Sequence, residues 1–233
     1  FALSVSNTAE QMSDGFSMIC LALECSTSRR SVAVARDAVL LAEASHSAGR
    51  ETPLFSMIVG VLARASVARH DVQSIAIGLG PGSYTGIRIA IAAAQGWELA
   101  HSVRLLGVDS VEATAHRARL LGLRGRIAVV ADAHRGECYV AEYDLNPDSI
   151  VPLTPLRIAT RPEVEVLRSA GARIAGPELE ALGLQGDSVF PDAAALTDLA
   201  FGRTSFLPPE QLEPIYLRPT TFVKARPART LPG

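Results

Sequence analysis

Three short apolar runs separated by polar turns open the regular part of the chain. The runs cover residues 18–24, 31–35 and 38–43, and polar residues at 26–30 separate the first two. Apolar runs of four to eight residues bounded by turn signals are typical of β-strands. We therefore predict a three-stranded meander at the start of the fold.

Alternating helix and strand patterns follow the meander. Thr52-Pro53 places a capping residue before a proline at the first helical position, which favours a helix start. Apolar residues then recur at helical spacing through Ala65. The pattern continues with a strand at Ile75, a helix over 85–101, a strand over 105–108 and a helix over 110–121.

The second half begins with the same pattern but does not complete it. Residues 126–133 and 137–143 predict a hairpin around His134-Arg135-Gly136. We further predict an extended piece at 153–158, a helix from Pro162, a strand at 173–176 and a helix over 192–201. The repetition predicts a duplicated α/β fold with the actin-like, ribonuclease H-like architecture, in which helices flank two mixed sheets and the second lobe is abbreviated.

This pattern divides the chain into four predicted segments. Residues 1–17 are expected to be a leader outside the fold, either disordered or foreign to the natural protein, with translation starting at Met12 or Met18. The N-terminal lobe is predicted at 18–121 and the C-terminal lobe at 122–218. A basic, proline-rich tail over 219–233 completes the chain.

Composition narrows the class of protein. The 233 residues are 48% hydrophobic, which is enough to build a sizeable core. A net charge of −2 argues against a surface that binds nucleic acid or anionic lipid throughout. No apolar run approaches the roughly 20 residues that cross a bilayer. Cys20, Cys25 and Cys138 have no metal-site or CxxC spacing, so we expect structural thiols in a reducing cytoplasm.

A glycine-rich loop precedes the helix predicted over 85–101. Gly78, Gly80, Gly82 and Gly86 follow the Ile75 strand. Glycine permits backbone angles that other residues avoid, and a helix N-terminus attracts anions. The spacing matches neither the P-loop nor the dinucleotide fingerprint. Two interpretations stay open: an anion site, or a connection that lets the helix pack close to its strand.

Several sequence blocks occur in a defined order across residues 18–218. They are Leu21-Ala-Leu-Glu-Cys-Ser-Thr-Ser, His46, Gly80-Pro-Gly-Ser-Tyr-Thr-Gly-Ile-Arg, Gly107-Val-Asp-Ser-Val-Glu-Ala, Asp132-Ala-His-Arg-Gly-Glu-Cys-Tyr and Pro214-Ile-Tyr-Leu-Arg. This set resembles the bacterial TsaB (YeaZ) family. The resemblance implies a cytoplasmic member of the actin-like ATPase superfamily that supports threonylcarbamoylation of adenosine 37 in tRNAs reading codons that start with A. It also implies that TsaD performs the transfer, that the ATPase TsaE joins it, and that this chain is a non-catalytic partner.

Histidine spacing agrees with a non-catalytic chain. The resemblance implies that the active paralogue holds its metal with an H-x-x-x-H pair, which places two imidazoles on one helical face. The five histidines here include no such pair and no HExxH motif. We therefore predict no catalytic residue and no metal site, and a metalloprotease is the weakest functional class. The histidines are His46, His70, His101, His116 and His134.

Nucleotide binding is a second possible use of the fold. Glu24 follows the first strand, where an actin-like ATPase has a carboxylate that organises Mg²⁺ and water, ahead of a hydroxyl-bearing turn that holds phosphates. Asp132 lies at the equivalent strand end of the second lobe. The family usually has aspartate in place of Glu24, and both carboxylates could instead cap turns. We expect no cofactor requirement for the chain itself, with ATP and Mg²⁺ entering only in the complex; a self-sufficient small-molecule kinase or ATPase is the alternative. The candidate nucleotide or anion loop is Glu24, Ser26, Thr27, Gly80, Gly82, Ser83, Thr85 and Asp132.

Two predicted helices carry more apolar and small positions than one core face requires. They are the helix that starts at Thr52 and the helix over 85–101, and the latter includes Ala92, Ala93 and Gly96. The resemblance implies docking of such a helix pair on TsaD, or on a second copy as a homodimer. The alternative is that both helices are buried within their own domain. The candidate interface residues are Leu54, Phe55, Ile58, Val59, Leu62, Ile87, Arg88, Ile91, Ala94 and Gln95.

The tail after Glu213 is basic. It carries Arg218, Lys224, Arg226 and Arg229 and no acidic residue. Such a segment either contacts tRNA phosphates or is solvated, and the sequence leaves both possibilities open.

Overall fold

The computed structural model describes residues 18–47 and 53–217. The predicted leader, the Thr52 cap and the predicted tail therefore lie outside the described residues. Within them, eleven strands form two sheets, and five α-helices pack on these sheets. The helices are α1 (Leu54–Ala65), α2 (Tyr84–His101), α3 (Ser110–Leu120), α4 (Arg161–Ser169) and α5 (Ala193–Ala200). The strands are β1 (Ile19–Glu24), β2 (Arg29–Arg36), β3 (Val39–Ser47), β4 (Ser74–Gly78), β5 (Arg104–Val108), β6 (Gly125–Asp132), β7 (Glu137–Leu145), β8 (Ile150–Pro152), β9 (Arg157–Thr160), β10 (Arg173–Gly176) and β11 (Asp187–Ser188).

The first sheet has the order β3-β2-β1-β4-β5. The meander β1 to β3 is antiparallel, whereas β4 and β5 run parallel to β1. Side chains of β1 alternate between two buried faces, because successive residues of a strand point to opposite sides of a sheet. Leu21 and Leu23 pack towards α1 and α2, while Cys20 and Ala22 pack towards α5.

The second sheet repeats this order as β8-β7-β6-β10-β11, with β9 paired to β7. The strand β6 takes the place of β1, with an antiparallel neighbour in β7 and a parallel neighbour in β10. The last strand, β11, has only two residues. The fold is therefore the predicted duplicated actin-like α/β architecture with an abbreviated second half.

Helices and sheets alternate in five layers. The helices α1 and α2 cover the outer face of the first sheet, and α4 covers the outer face of the second. Between the sheets, α5 packs on the first sheet and α3 packs mainly on the second. Each of these two helices thus packs on the sheet of the other predicted lobe. The lobe boundary after residue 121 stays a prediction.

One predicted element is wrong. The extended piece predicted at 153–158 is instead the gap between β8 and β9, together with two residues of β9. The strand β8 pairs with the far end of β7 at Tyr143–Leu145, whereas β9 pairs with its beginning at Glu137–Val140. The chain must travel along β7 between these two pairings, so residues 153–156 form no regular ladder, although Leu153 still donates its N–H to the carbonyl of Glu142 at 2.8 Å.

Candidate functional site

A cleft of ≈ 360 Å³ lies between the two sheets. It forms where parallel strands end, because the loops that follow such strands meet at one edge of each sheet. Loops after β1 and β4 line one wall, and loops after β6 and β10 line the other. The lining includes six of the eight predicted loop residues: Ser26, Thr27, Gly82, Ser83, Thr85 and Asp132.

The glycines before α2 serve two different needs. Gly80 and Gly82 have positive φ angles of 87° and 152°, a region that glycine enters readily. Gly78 and Gly86 are required for space instead. A Cβ on Gly86 would lie 2.1 Å from the carbonyl oxygen of Cys25, and a Cβ on Gly78 would lie 2.0 Å from Oε2 of Glu24. Gly82 meets both needs, because a Cβ there would lie 2.1 Å from the carbonyl oxygen of Ser26. Close packing around the end of β1 therefore excludes a side chain at three of the four glycines.

Glu24 does not face the cleft, which corrects its predicted role as an organiser of Mg²⁺ and water. Its side chain is fully buried. One carboxylate oxygen accepts the backbone N–H of Ser26 at 2.6 Å, and the other accepts the hydroxyl of Ser110 at 2.9 Å. Burial raises the pKa of Glu24 above its ordinary value, and the hydrogen bonds oppose that shift. Glu24 is a structural residue behind the wall of the cleft.

Gly80 does not line the cleft either, because it is buried against Ser110. Its backbone N–H donates to the hydroxyl of Ser110 at 3.1 Å, and its carbonyl accepts the N–H of Ser110 at 2.9 Å. Ser110 thus joins the glycine loop, Glu24 and the start of α3. No sequence motif singled out Ser110, although it lies in the Gly107–Ala113 block next to the α3 cap Asp109.

Three cleft residues with a charged or imidazole side chain were not among the predicted site residues. His134 contacts Asp132 twice, through its backbone N–H at 2.7 Å and through Nδ1 at 3.2 Å. Arg30 is buried in the opposite wall, and Glu178 follows β10 with a positive φ of 56°. The sequence could have predicted Glu178, because it follows the strand β10. This strand runs parallel to β6, so the loop after it reaches the same sheet edge as Asp132.

Six of the ten predicted interface residues are buried in the core of the chain itself, which corrects that part of the prediction. They lie on the inner faces of α1 and α2 and pack on the first sheet. Their side chains are at most 6% exposed, so each offers little area to a partner. The six are Leu54, Ile58, Leu62, Ile87, Ile91 and Ala94.

The outer faces of α1 and α2 form an apolar surface. Phe55 is 67% exposed and Val59 is 50% exposed, one turn apart on α1. Between the helices lies a groove of ≈ 330 Å³ whose walls include Ala92, Gly96 and Trp97. We call it the α1–α2 groove. Small residues on α2 leave room for another helix to approach, and exposed apolar patches of this kind mark interaction sites.

A second groove, of ≈ 590 Å³, lies on the other side of α2. Its far wall is the segment over residues 209–216, and we call it the α2–C-terminal groove. Gln95 donates to the carbonyl of Pro209 at 2.7 Å across its floor. Arg88 lies 4.4 Å from the centre of the Tyr84 ring, which stacks on Tyr216. The last two predicted interface residues, Arg88 and Gln95, therefore line this groove.

Residues 18–47 and 53–217 contain no group of three or more potential metal ligands. His46 lies exposed on β3, where it pairs in register with Arg30. None of the helices within this part of the chain has the length and apolarity that crossing a membrane requires.

The chain matches the model of the family described as TsaD, tRNA N6-adenosine threonylcarbamoyltransferase, over residues 45–201. It is 27% identical over 230 residues to the tRNA threonylcarbamoyladenosine biosynthesis protein TsaB of Escherichia coli strain K12. The aligned region covers 91% of this chain and all of that protein. It is 26% identical to the TsaB protein of Bacillus subtilis strain 168, over 59% of this chain and 60% of that protein.

Solved structures agree with the sequence relatives. YeaZ from Pseudomonas aeruginosa superposes with a TM-score of 0.75 and 29% identity, over 86% of this chain and 100% of that chain. A second Pseudomonas aeruginosa structure, described as an uncharacterized protein with similarity to peptidase YEAZ, gives a TM-score of 0.74 at 29% identity over the same shares.

Proposed function

The chain belongs to the TsaD family and resembles its TsaB (YeaZ) relatives, and from that premise we propose that it is a non-catalytic subunit in tRNA threonylcarbamoyladenosine biosynthesis. In this proposal it binds TsaD in the cytoplasm, TsaE joins the pair, and the assembly modifies adenosine 37 of tRNAs reading codons that start with A. The chain meets tRNA through the assembly. Without TsaD, the same surface holds a homodimer.

The exposed apolar surface of α1 and α2 carries this proposal. Phe55 and Val59 are large apolar side chains that water surrounds in the isolated chain, and the α1–α2 groove beside them is lined by small residues. Covering such a patch with a helix pair removes apolar area from water. A partner of related fold offers a matching helix pair, which supports TsaD or a second copy as the occupant.

The position of Glu24 supports a non-catalytic role. A residue that organises a metal and attacking water must face the bound phosphates. Here the carboxylate is enclosed by Ser26 and Ser110 and lies behind the cleft wall. Asp132, the other candidate carboxylate, is engaged with His134.

A self-sufficient kinase or ATPase is the second candidate, and one observation favours it. The hydroxyl of Ser26 is buried at the cleft and has no hydrogen-bond partner among the described residues. A phosphate oxygen at the start of α2 would satisfy this hydroxyl, since a helix N-terminus also favours an anion. Turnover of ATP by the isolated chain would support this candidate.

Reconstitution tests the proposal. Purified chain, cognate TsaD and TsaE are combined with tRNA, ATP and the threonylcarbamoyl donor, and modified adenosine is quantified after digestion. We expect modification only when TsaD and this chain are both present, and no ATP hydrolysis above background by this chain alone. Robust modification by this chain without TsaD would overturn the proposal, as would full activity of TsaD and TsaE without it.

A further inference from the structure

We propose that the α2–C-terminal groove binds a second segment of the partner that covers the α1–α2 groove, and that this segment inserts a lysine or arginine side chain. The inference rests on the proposed function for the identity of that partner. It adds a second contact and a charge requirement to an interface that would otherwise be apolar.

The two grooves flank the same helix. Ala92 lines both of them, so at this position a single methyl group separates one groove from the other. A partner seated in the α1–α2 groove therefore reaches the edge of the second groove without crossing a bulky side chain. The continuity of the two surfaces across Ala92 is the reason to assign both to one partner.

The α2–C-terminal groove is already formed in the isolated chain. Its outer wall is held at three points: Gln95 donates to the carbonyl of Pro209 at 2.7 Å, Ile215 donates its N–H to the carbonyl of Leu79 at 2.9 Å, and the rings of Tyr216 and Tyr84 stack 5.7 Å apart. A wall fixed in this way need not be ordered when a partner binds. Such preorganisation lowers the cost of association.

The chemistry of the groove fits a long cationic side chain. Ile91 and Leu212 are buried apolar residues that contribute to its lining, whereas Glu210 and Glu213 are exposed at its rim. The two acids outnumber the one cation of the lining, Arg88, whose Nε donates to the hydroxyl of Tyr216. Neither glutamate forms an ion pair with any residue in the described ranges. Lysine and arginine place an apolar stem on apolar surface while their charged end reaches outwards. The rim acids would meet that end.

Charge reversal at the rim tests the inference. The double variant Glu210→Lys/Glu213→Lys is compared with wild type for binding to purified cognate TsaD by titration calorimetry at two salt concentrations. The control, Asp148→Lys/Glu180→Lys, makes the same change of charge at exposed acids remote from the groove. Because rim charges act on association and its salt dependence, we expect the rim variant to bind on the order of tenfold more weakly at low salt, with a smaller effect at high salt.

The outcomes separate this inference from the proposed function. If the rim and control variants bind TsaD equally well while Phe55→Glu abolishes binding, the second contact is wrong and the proposed function stands. If wild type does not bind TsaD at all, both fail. A third arm uses a chain that ends at residue 217. If the rim variant weakens binding only when residues 218–233 are present, the chain's own basic tail is the occupant and the inference is overturned.

Discussion

The hydroxyl of Ser110 donates to Oε2 of Glu24 at 2.9 Å, and this bond joins the first turn of α3 to the end of β1. The same hydroxyl accepts the backbone N–H of Gly80 at 3.1 Å. Two residues that the sequence placed in a nucleotide loop are therefore held by one serine behind that loop. The arrangement stabilises the cleft wall and leaves Glu24 without access to a ligand.

Removing this hydroxyl should destabilise the fold. In Ser110→Ala, the carboxylate of Glu24 and the N–H of Gly80 each lose a buried partner, which costs about 1–3 kcal/mol per unsatisfied group. We expect a lower urea midpoint with an unchanged slope. Ser169→Ala is the control, because its exposed hydroxyl bonds only to a backbone carbonyl of its own helix. Equal midpoints for the two variants would show that Ser110 does not hold the wall.

Replacing Glu24 by glutamine should preserve function. Glu24→Gln keeps the shape and can still accept the N–H of Ser26, and burial already disfavours the charged form of Glu24. We expect tRNA modification by the reconstituted assembly within about twofold of wild type. A metal-organising carboxylate would behave differently, because its loss typically lowers the rate by about a hundredfold or more. Such a loss, with an unchanged melting temperature, would restore a catalytic role for Glu24.

Stability should depend on pH through Asp109. Burial raises its pKa to about 6, against the hydrogen bonds from the start of α3. The unfolded chain has a pKa of about 3.9 there, so between about pH 4 and 6 the native state holds more protons. This contribution to the free energy of unfolding therefore falls as pH rises through that window. Asp109→Asn keeps a good helix cap but cannot titrate, so its stability should fall less.

Urea unfolding at intervals from pH 4 to 7 measures this difference. Asp148→Asn serves as the reference, since Asp148 is exposed. If Asp109→Asn and Asp148→Asn have the same pH dependence, Asp109 does not titrate in the predicted window.

Two glycines of α2 should respond oppositely to alanine. In Gly86→Ala, the new Cβ would lie 2.1 Å from the carbonyl oxygen of Cys25, and this backbone atom cannot turn away. We expect a loss of about 1–3 kcal/mol or more. A Cβ on Gly96 meets no atom of the described residues within 4 Å, so Gly96→Ala should gain about 0.5–1 kcal/mol from helix propensity. Thermal unfolding of both variants checks the signs, and equal shifts would contradict the assigned contact.

A charge on the outer face of α1 should abolish partner binding without unfolding the chain. Phe55→Glu and Val59→Glu alter exposed side chains, so the melting temperature should stay within a few degrees of wild type. Within an apolar contact, each new carboxylate loses water without gaining a partner, which should weaken TsaD binding a hundredfold or more. Val166→Glu, at a side chain 65% exposed on α4, is the control. If all three variants bind alike, the docking surface lies elsewhere.

Much of the fold could be predicted because apolar periodicity and turn residues act locally. The run over 18–24 and the glycine loop marked β1 and the start of α2 to within one residue. The gap between β8 and β9 could not be found in this way, since it depends on which end of β7 each strand pairs with. The swap of α3 and α5 between the sheets is likewise set by long-range packing.

The candidate site was predicted in part for a similar reason. The sequence placed Ser26 and Asp132 after equivalent strands of the two lobes, and both line one cleft. The sequence could not show that Glu24 turns away from it, because that orientation depends on Ser110, 86 positions later. On the helices, periodicity found apolar positions but did not separate Phe55, which is exposed, from Ile58, which packs on the first sheet.

The swap of the two central helices limits how the protein can be divided. A break between residues 121 and 122 would give two fragments, each holding the layer that the other sheet needs. The first sheet would lose α5 and expose the alanine-rich face around Ala22, while the second would lose the cover that α3 provides over Ile127 and Val129. Neither fragment closes its own core. The two halves therefore acquire their structure together. The strand order repeats, but the two repeats cannot be separated into units that fold alone.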